Sequence, residues 1–322
     1  MTAAYEEAAR EHLASLNRLI DRGGVARLRK LYADAQAQLE KKLAREVGRG
    51  SAPFTAHQYR VLLAQVRQGQ MQIAGRLGEE SERVTIETQT DALRGITRQI
   101  KRLELAHGAT STTLPIEEVA RFAGVIDKHK ASLLQQNHTS MRAYGSSLVK
   151  KMQDSLAMSL ATGSSTHEAI ESIAKTADVE WWRAERIVRT EQSWAAHLTI
   201  ADGIKASREA LGVELEMRWT ELVSDEGKPL DNRVGADSVA LHGQVAPPGG
   251  VFRMPSDARS IVITNRYGES RVDESMMSKS WAHPPNRPND RSSVVPWKPG
   301  WAPGWRVVGG VRVAVHAPHR KG

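Results

Sequence analysis

The stretch from Tyr59 to Leu77 reads YRVLLAQVRQGQMQIAGRL, and its apolar residues recur at alternating spacings of three and four. This period places side chains on one stripe of an α-helix. The stripe resumes at Val84 and continues to Leu103; its members are Tyr59, Leu62, Val66, Gln70, Ile73, Leu77, Val84, Leu93, Ile96, Ile100 and Leu103. A heptad-like seam of this kind is typical of a helix that packs along another long helix. An unbroken helix over residues 55–107 would be about 80 Å long.

Four glycines favour a break in this helix, and they are Gly69, Gly75, Gly78 and Gly95. A similar apolar stripe precedes it, formed by Val25, Leu28, Tyr32, Ala35, Leu39 and Leu43. Another follows, formed by Phe122, Ile126, Leu133, Met141, Tyr144, Leu148, Met152 and Leu156. Ser165 and Glu168 have the spacing of a capping box, which predicts the start of a shorter helix. We expect Asp178 to cap a further helix that runs to about Leu211.

The last third of the sequence has a different character. All eight tryptophans lie between Trp181 and Trp305, and 11 of the 13 prolines lie at or after Pro229. Since proline is rare inside helices, this part cannot be mainly helical. Apolar and polar residues alternate from 213 to 220, which predicts a half-buried strand. Further strand candidates lie at 238–245, 260–264 and 306–315, with Gly/Pro-rich loops between them.

These patterns predict an α+β protein. Long α-helices dominate the N-terminal half, and a small mixed α/β module with short strands and Pro/Gly-rich loops follows at the C-terminus. The helical stripes fade near Leu160, so we expect an extended helical region over 1–162. A compact module with a Pro/Trp-rich tail is expected over 163–322.

Composition excludes several classes of protein. The chain has 322 residues and no cysteine, which excludes disulfide scaffolds, thiolate zinc sites and cysteine nucleophiles. No apolar run reaches the roughly 20 residues that span a membrane, and the start lacks the pattern of a signal peptide, so we expect a soluble intracellular product. The formal net charge is +8, and residues 229–322 carry 13 basic against 7 acidic side chains. That charge permits contact with nucleic acid but is modest for a dedicated DNA-binding protein.

Some polar residues could form a catalytic or metal site. Glu214 and Glu216 fall on one face of the predicted strand, a pattern found in ADP-ribosyltransferases, but two charges that face solvent are the simpler and favoured explanation. Acidic and histidine side chains of the last third, Asp225 and His242 among them, could bind a metal ion. No pair of them has the helical spacing of a zinc enzyme, and Asp and His are common in loops.

Two further features have ordinary structural explanations. Arg189, Thr190 and Glu191 lie within a predicted helix, where Glu191 could form a surface ion pair with Arg186 or with neighbours of Arg189. The tryptophans of this region are more often core or interface anchors than stacking platforms, and they are Trp181, Trp182 and Trp194. Neither feature requires a catalytic role.

Residues 163–297 also carry a set of short motifs in a fixed order. In chain order they are Gly163-Ser164-Ser165-Thr166 with Ile173, Arg183-Ala184-Glu185-Arg186-Ile187-Val188-Arg189-Thr190-Glu191, Ala195-Ala196, Trp219, Asp225, Arg233, His242-Gly243-Gln244, Phe252 and the segment His283-Pro284-Pro285-Asn286-Arg287-Pro288-Asn289-Asp290-Arg291-Ser292. This order resembles that of the phage head morphogenesis family, the Mu F-like minor head proteins. The second motif is close to that family's R-A-x-x-I-A-R-T-E, and the last is similar to its P-P-x-H-P-N-C-R-C. Where the family has one His and two Cys, this chain has Arg287, Asp290 and Ser292.

The resemblance implies a minor capsid protein, present in few copies and bound near the portal inside the head. It would assist head assembly and the packaging or ejection of DNA, first in the host cytoplasm and then in the virion. The implied partner is the portal protein, with the major capsid protein and packaged DNA as further candidates, and no membrane or cofactor is implied. The motif residues would serve a structural role; they are Arg189, Thr190, Glu191, Trp219, Asp225, Arg233, His242, Gly243, Pro285, Asn289 and Arg291.

Two other classes of function stay open. One is an enzyme, either a toxin-like ADP-ribosyltransferase that uses Glu214 and Glu216 or a metal-dependent nuclease that uses Asp225 and His242. The other is a sequence-independent DNA-binding protein, for which strong salt dependence of binding is expected. Since a catalytic site needs several convergent groups, and 287, 290 and 292 lack the family's His and Cys, we favour no enzymatic activity.

Overall fold

The structure is a computed structural model. It describes residues 2–47, 53–106, 116–211, 214–224, 228–231, 234–265, 268–286 and 290–315. Long helices occupy the N-terminal part and short strands the C-terminal part, which confirms the predicted α+β fold. The turn expected near 107–111 and the helix start at Pro115 lie outside the described residues.

Six α-helices are present in the described part of the chain. They are α1 (Thr2–Arg18), α2 (Ala26–Val47), α3 (Ala56–Ala106), α4 (Ile116–Ala161), α5 (Thr166–Leu211) and α6 (Ala236–Leu241). A π-helical segment, Leu19–Val25, joins α1 to α2. The six residues of the predicted stripe from Val25 to Leu43 are all buried, as are those of α3 from Leu62 to Ile100.

Helix α3 is unbroken from Ala56 to Ala106. The predicted break at its glycines was therefore wrong. At Gly69 the reason is packing rather than a turn. A Cβ atom at that position would lie 2.5 Å from Cδ1 of Leu39 in α2. Glycine therefore lets α2 and α3 approach closely, and burial of the shared seam outweighs its poor helix propensity.

The predicted capping box opens α5. The backbone N–H of Glu168 donates to Ser165 Oγ at 3.2 Å, and the N–H of Ser165 donates to the Glu168 carboxylate at 2.6 Å. Asp178 does not begin a new helix, because α5 continues through it to Leu211. The apolar stripe on either side of Asp178 is buried without interruption, so tertiary packing outweighs the preference of Asp for a helix start.

Nine short strands lie in the described residues after α5, with α6 between the first and the second. They are β1 (Glu216–Thr220), β2 (Val245–Ala246), β3 (Phe252–Arg253), β4 (Val262–Asn265), β5 (Gly268–Arg271), β6 (Ser280–Trp281), β7 (Ser293–Trp297), β8 (Gly304–Val308) and β9 (Val311–Val315). Strand β1 lies between β2 and β7, antiparallel to both, with Trp219 opposite Val294. The remaining strands form three two-stranded sheets, β3 with β6, β4 with β5 and β8 with β9.

The strand predictions were partly right. Strand β1 begins at Glu216, later than expected, whereas the candidate at 260–264 corresponds to β4 and the one at 306–315 to the hairpin of β8 and β9. The candidate at 238–245 was wrong, since residues 236–241 form α6. Ala236, Ala240 and Leu241 are buried at helical rather than alternating spacing, which explains the difference.

Contacts divide the chain into two compact units. Unit 1 consists of Met1–Ile20, Thr85–Lys130 and Gln192–Gly322, and unit 2 of Asp21–Val84 and Ala131–Glu191. The core of unit 1 contains the fully buried side chains of Trp219, Trp297 and Trp301. The predicted division into 1–162 and 163–322 stays a prediction.

Unit 2 contains a polar pair on its apolar seam. Gln70 is buried, and its side-chain amide exchanges hydrogen bonds with that of Gln36 in α2, at 3.1 and 3.2 Å. We expect Gln70→Leu to lower the free energy of unfolding by about 1–2 kcal/mol, because the Gln36 amide loses its partner. Adding Gln36→Leu should recover most of that loss, since neither polar group then remains. Urea unfolding of the two single variants and the double variant measures this coupling.

Gln38→Leu on the exposed side of α2 is the matched control and should change stability by less than about 0.5 kcal/mol. If the effects of Gln36→Leu and Gln70→Leu simply add, the two amides do not stabilise each other.

Candidate functional site

The structure places the motif residues in two separate groups. Arg189, Thr190 and Glu191 lie in the part of α5 that belongs to unit 2. The second group belongs to unit 1 and comprises Trp219, His242, Gly243, Pro285 and Arg291. Four residues singled out from the sequence lie outside the described residues, and they are Asp225, Arg233, Arg287 and Asn289.

Arg189 connects α5 to the π-helical segment. Its Nε donates to Asp21 Oδ1 at 2.8 Å, and its Nη2 donates to Glu185 Oε1 at 2.7 Å. The guanidinium is buried, and hydrogen bonds to two carboxylates compensate for its loss of water. Arg189 therefore ties three positions of unit 2 together.

Glu191 connects α5 to α4. Its carboxylate accepts hydrogen bonds from Gln136 Nε2 at 2.6 Å and from Ser140 Oγ at 3.1 Å. The surface ion pair expected from the sequence was wrong, because Glu191 is buried and faces neutral donors on α4. Burial raises the pKa of Glu191, and the bonds from Ser140 and Gln136 oppose that rise. Thr190 donates to the Arg186 carbonyl within the same helix.

A second polar cluster lies in unit 1, and we call it the Asp290 network; its members are Glu221, Ser238, His242, Asp290 and Ser292. The buried Asp290 carboxylate accepts from Ser238 Oγ at 3.0 Å, from Ser292 Oγ at 2.9 Å and from the Ser292 N–H at 3.2 Å. Its other oxygen accepts from the Asn286 N–H at 3.1 Å. Asp290 thus joins α6 to the irregular segment before β7.

The network extends from Asp290 to the residue that follows β1. Ser292 Oγ lies 2.8 Å from Glu221 Oε2, and Glu221 Oε1 accepts from the Leu222 N–H at 2.8 Å. The backbone N–H of Glu221 donates to His242 Nδ1 at 3.1 Å. A histidine that accepts at Nδ1 is neutral, in agreement with a pKa lowered to about 3 by burial and then by Arg218, Arg10 and Arg312. His242 therefore holds the backbone after β1 in place.

Backbone hydrogen bonds join Trp219 of β1 to Gly243 and Gln244, which follow His242. The Gly243 N–H donates to the Trp219 carbonyl at 2.9 Å, and the Trp219 N–H donates to the Gln244 carbonyl at 2.8 Å. Gly243 has a φ of +84°, and a Cβ there would lie 3.0 Å from Nε1 of Trp305. That indole N–H in turn donates to the His242 carbonyl at 3.0 Å. The position therefore requires glycine for both its conformation and its crowding.

Other motif residues have structural contacts of the same kind. Phe252 packs edge-on against Trp219 with ring centroids 5.2 Å apart. Arg291 is buried, with Nη1 3.4 Å from Asp231 Oδ2. The peptide bond between Pro284 and Pro285 is cis. Asp290 and Ser292, which stand at the two cysteine positions of the motif that the sequence resembles, are both members of the Asp290 network.

The structure describes both glutamates of the ADP-ribosyltransferase alternative and the histidine, His242, of the nuclease alternative. Glu214 is exposed and precedes β1, whereas Glu216 begins β1 and forms an ion pair with Arg306. Within the described ranges, no group of three or more His, Asp or Glu side chains could hold a metal ion. Asp225 does not belong to those ranges.

The three tryptophans weighed from the sequence differ in burial. Trp181 is buried, with its ring centroid 4.8 Å from that of Tyr32. Trp182 is 52% exposed, with the Arg186 guanidinium 5.0 Å from its ring centroid. Trp194 is half-buried beside His283. Trp181 is therefore a core residue, and a role of Trp182 as an interface anchor stays a prediction.

Sequence reasoning missed two parts of this site. Glu221 and Ser238 carry no motif of their own, and they meet Ser292 and Asp290 across 71 and 52 residues of chain. The contribution of α1 was also missed: Tyr5 donates to the Pro296 carbonyl at 2.9 Å, and Glu6 binds Arg218 of β1 at 2.7 Å. The apolar pattern marks α1 as a helix but does not specify its partner.

Two half-buried histidines of unit 1 should make stability depend on pH. Burial, then Arg98, lowers the pKa of His12 to about 4, and that of His242 is lowered to about 3. In the unfolded chain the pKa of each histidine is about 6.5, so the unfolded state binds protons more readily than the folded state. Their contribution is therefore present above about pH 6.5 and is lost as the pH falls toward 4. Each should lower the free energy of unfolding by about 1.4 kcal/mol per pH unit in that interval.

Urea unfolding at pH 7, 6 and 5 measures this loss. His12→Gln should remove part of the slope, because the uncharged amide cannot take up a proton. A free energy of unfolding that stays constant from pH 7 to 5 would show that these histidines are not held neutral in the folded state.

None of the helices in the described ranges is long and apolar enough to cross a membrane. Comparison with family models, with curated proteins and with solved structures finds no match to this chain.

Proposed function

We propose that the chain is a minor capsid protein of a tailed bacteriophage that binds near the portal inside the head. It would assist head assembly and the packaging or ejection of DNA. Its main partner would be the portal protein, with the major capsid protein and packaged DNA as further candidates. It would assemble in the host cytoplasm and remain in the capsid interior of the virion.

The observation that carries this proposal is the Asp290 network. The resemblance to the head morphogenesis family implies that its motif residues have a structural role. In the described part of the motif, Asp290, Ser292 and His242 bond to backbone groups and to one another rather than converging on one reacting position. Such bonds satisfy the polar groups of loops that lack regular strand pairing. Motif residues that hold loops in place by hydrogen bonds suit a structural component of a virion better than an enzyme.

The helical part gives separate support. The proposed role requires long surfaces that pack against other proteins, and α3, α4 and α5 have 51, 46 and 46 residues. Arg189 and Glu191, the motif residues of α5, bind neighbouring elements of unit 2 through buried polar bonds.

The test uses a phage that encodes this chain. Mass spectrometry of purified particles should detect the protein in few copies, and deletion of its gene should lower the yield of infectious particles. A plasmid copy should restore the yield. A protein found only in the soluble host fraction, with normal particles formed in its absence, would contradict the proposal. Purified protein tested for NAD hydrolysis and for DNA nicking with Mg²⁺ or Mn²⁺ addresses the enzyme alternatives.

A further inference from the structure

A groove lies between α2 and α3 in unit 2, and we call it the α2–α3 groove. Its volume is about 440 Å³. Buried Leu39 and Ile73 form part of its floor, and exposed Gln38, Lys42, Gln72 and Arg76 form its rim. An apolar floor with a polar rim is the arrangement with which proteins bind the apolar face of a helix.

Gly75 opens this groove from the α3 side. It lies in the interior of a 51-residue helix and is exposed, and a Cβ atom there would meet nothing within 4 Å. Gly69, by contrast, is required by the approach of Leu39. Glycine destabilises a helix interior relative to alanine, so Gly75 carries a cost that no contact within unit 2 explains. A close approach by another molecule would explain it.

The charges of the groove identify the chemistry of that molecule. Lys42 and Arg76 form no ion pair with any carboxylate in the described part of the chain, and Glu79 is the single acidic residue that lines the groove. One exposed apolar side chain, Met71 at 49%, precedes Gly75 by one helical turn. The surface therefore suits a ligand that is both acidic and partly apolar.

We propose that the α2–α3 groove binds an acidic amphipathic α-helix of a partner protein. An aliphatic side chain of that helix lies over Gly75, and its carboxylates contact Lys42 and Arg76. Nucleic acid is the less suitable occupant, because phosphates gain nothing from the floor of Leu39 and Ile73. This inference does not depend on the proposed function, since any acidic helix of a partner would satisfy it.

Two synthetic peptides of about 20 residues test the proposal, a length at which an isolated helix can form. Both carry leucine at alternating spacings of three and four; one has glutamate on its polar face and the other lysine. Fluorescence anisotropy with the full-length protein should show saturable binding of the glutamate peptide below about 1 mM. The lysine peptide should bind at least about tenfold more weakly, because it meets Lys42 and Arg76 with like charge.

Gly75→Leu fills the groove and should abolish binding of the glutamate peptide. The variant should still fold, with a melting temperature raised by about 1–4 °C, because leucine is the better helix former and has open space there. Gly124→Leu in α4 is the matched control, since that glycine is also exposed with nothing within 4 Å. It should raise the melting temperature similarly and leave binding unchanged.

A charge reversal separates electrostatic attraction from simple burial. Lys42→Glu with Arg76→Glu should make the lysine peptide the tighter ligand, whereas Lys41→Glu with Arg60→Glu should not. Equal affinity for the two peptides, no binding at about 1 mM, or unchanged binding by Gly75→Leu would each overturn the proposal. It would also be overturned by a wild-type dimer that Gly75→Leu converts to a monomer, because the groove would then belong to a second copy of this chain.

Discussion

Replacing Leu62 and Val66 with aspartate should unfold unit 2. Both side chains are fully buried on the seam of α3, one helical turn apart. Each substitution removes an aliphatic side chain and places a carboxylate where it has neither water nor a cation, at a cost of several kcal/mol. Two such costs reach the whole stability of a typical domain, about 5–15 kcal/mol. Circular dichroism should therefore show loss of helix at 25 °C, and gel filtration an expanded or aggregated chain.

The matched control places the same charges on the exposed face of the same helix. Ala64→Asp with Gln68→Asp should leave the helix content and the elution volume close to those of the unmodified protein. If the Leu62 and Val66 variant melts like the unmodified protein and keeps its mass in solution, the seam is not buried.

The second large effect is expected for Asp290→Ala. This change removes the carboxylate that accepts from Ser238 Oγ, Asn286 N and Ser292 N, whereas Ser292 Oγ keeps Glu221 Oε2 as its acceptor. Because Ser238 and Ser292 are fully buried, no water replaces the lost acceptor. Each unsatisfied buried donor costs about 1–3 kcal/mol, so we expect a loss of roughly 3–5 kcal/mol in the free energy of unfolding.

Urea unfolding of the purified variant measures this loss. Asp91→Ala is the control, because its carboxylate binds only the exposed Arg94 on the same helix surface, and it should cost less than about 1 kcal/mol. If the proposed function holds, Asp290→Ala should also lower the yield of infectious particles in proportion to the loss of folded protein. A variant that keeps its stability but loses a measurable activity would instead indicate a catalytic carboxylate.

The helical part of this protein was largely predictable from its sequence. The apolar residues of a seam, such as Leu62, Val66 and Ile73, recur every three or four residues or at sums of these spacings. Several residues therefore indicate the same buried face of the helix. The capping box at Ser165 and Glu168 was predicted for a related reason, since both of its hydrogen bonds are local. Asp178 was mistaken for a helix start because its local preference is weaker than the burial of the residues around it.

The candidate site was predictable only in part. The sequence marks Trp219, His242 and Gly243 as members of an ordered motif, but it does not reveal that His242 accepts from the backbone of Glu221. That bond depends on where α6 and β1 meet. Glu191 was expected on the surface for the same reason. The apolar stripe of a helix is visible in the sequence, but a buried polar residue that faces Gln136 and Ser140 has the same sequence pattern as a polar residue that faces solvent.

The sequence by itself determined the α+β division, the long helices and their buried seams, because periodic burial and capping act over a few residues. The tertiary structure decided the rest. It brought Ser238 and Asp290 together across 52 residues, placed Glu6 against Arg218, and turned 236–241 into a helix. These contacts form between segments that are far apart in the chain. Their polar side chains become buried only when other elements pack over them and exclude water, so local sequence patterns do not predict the contacts.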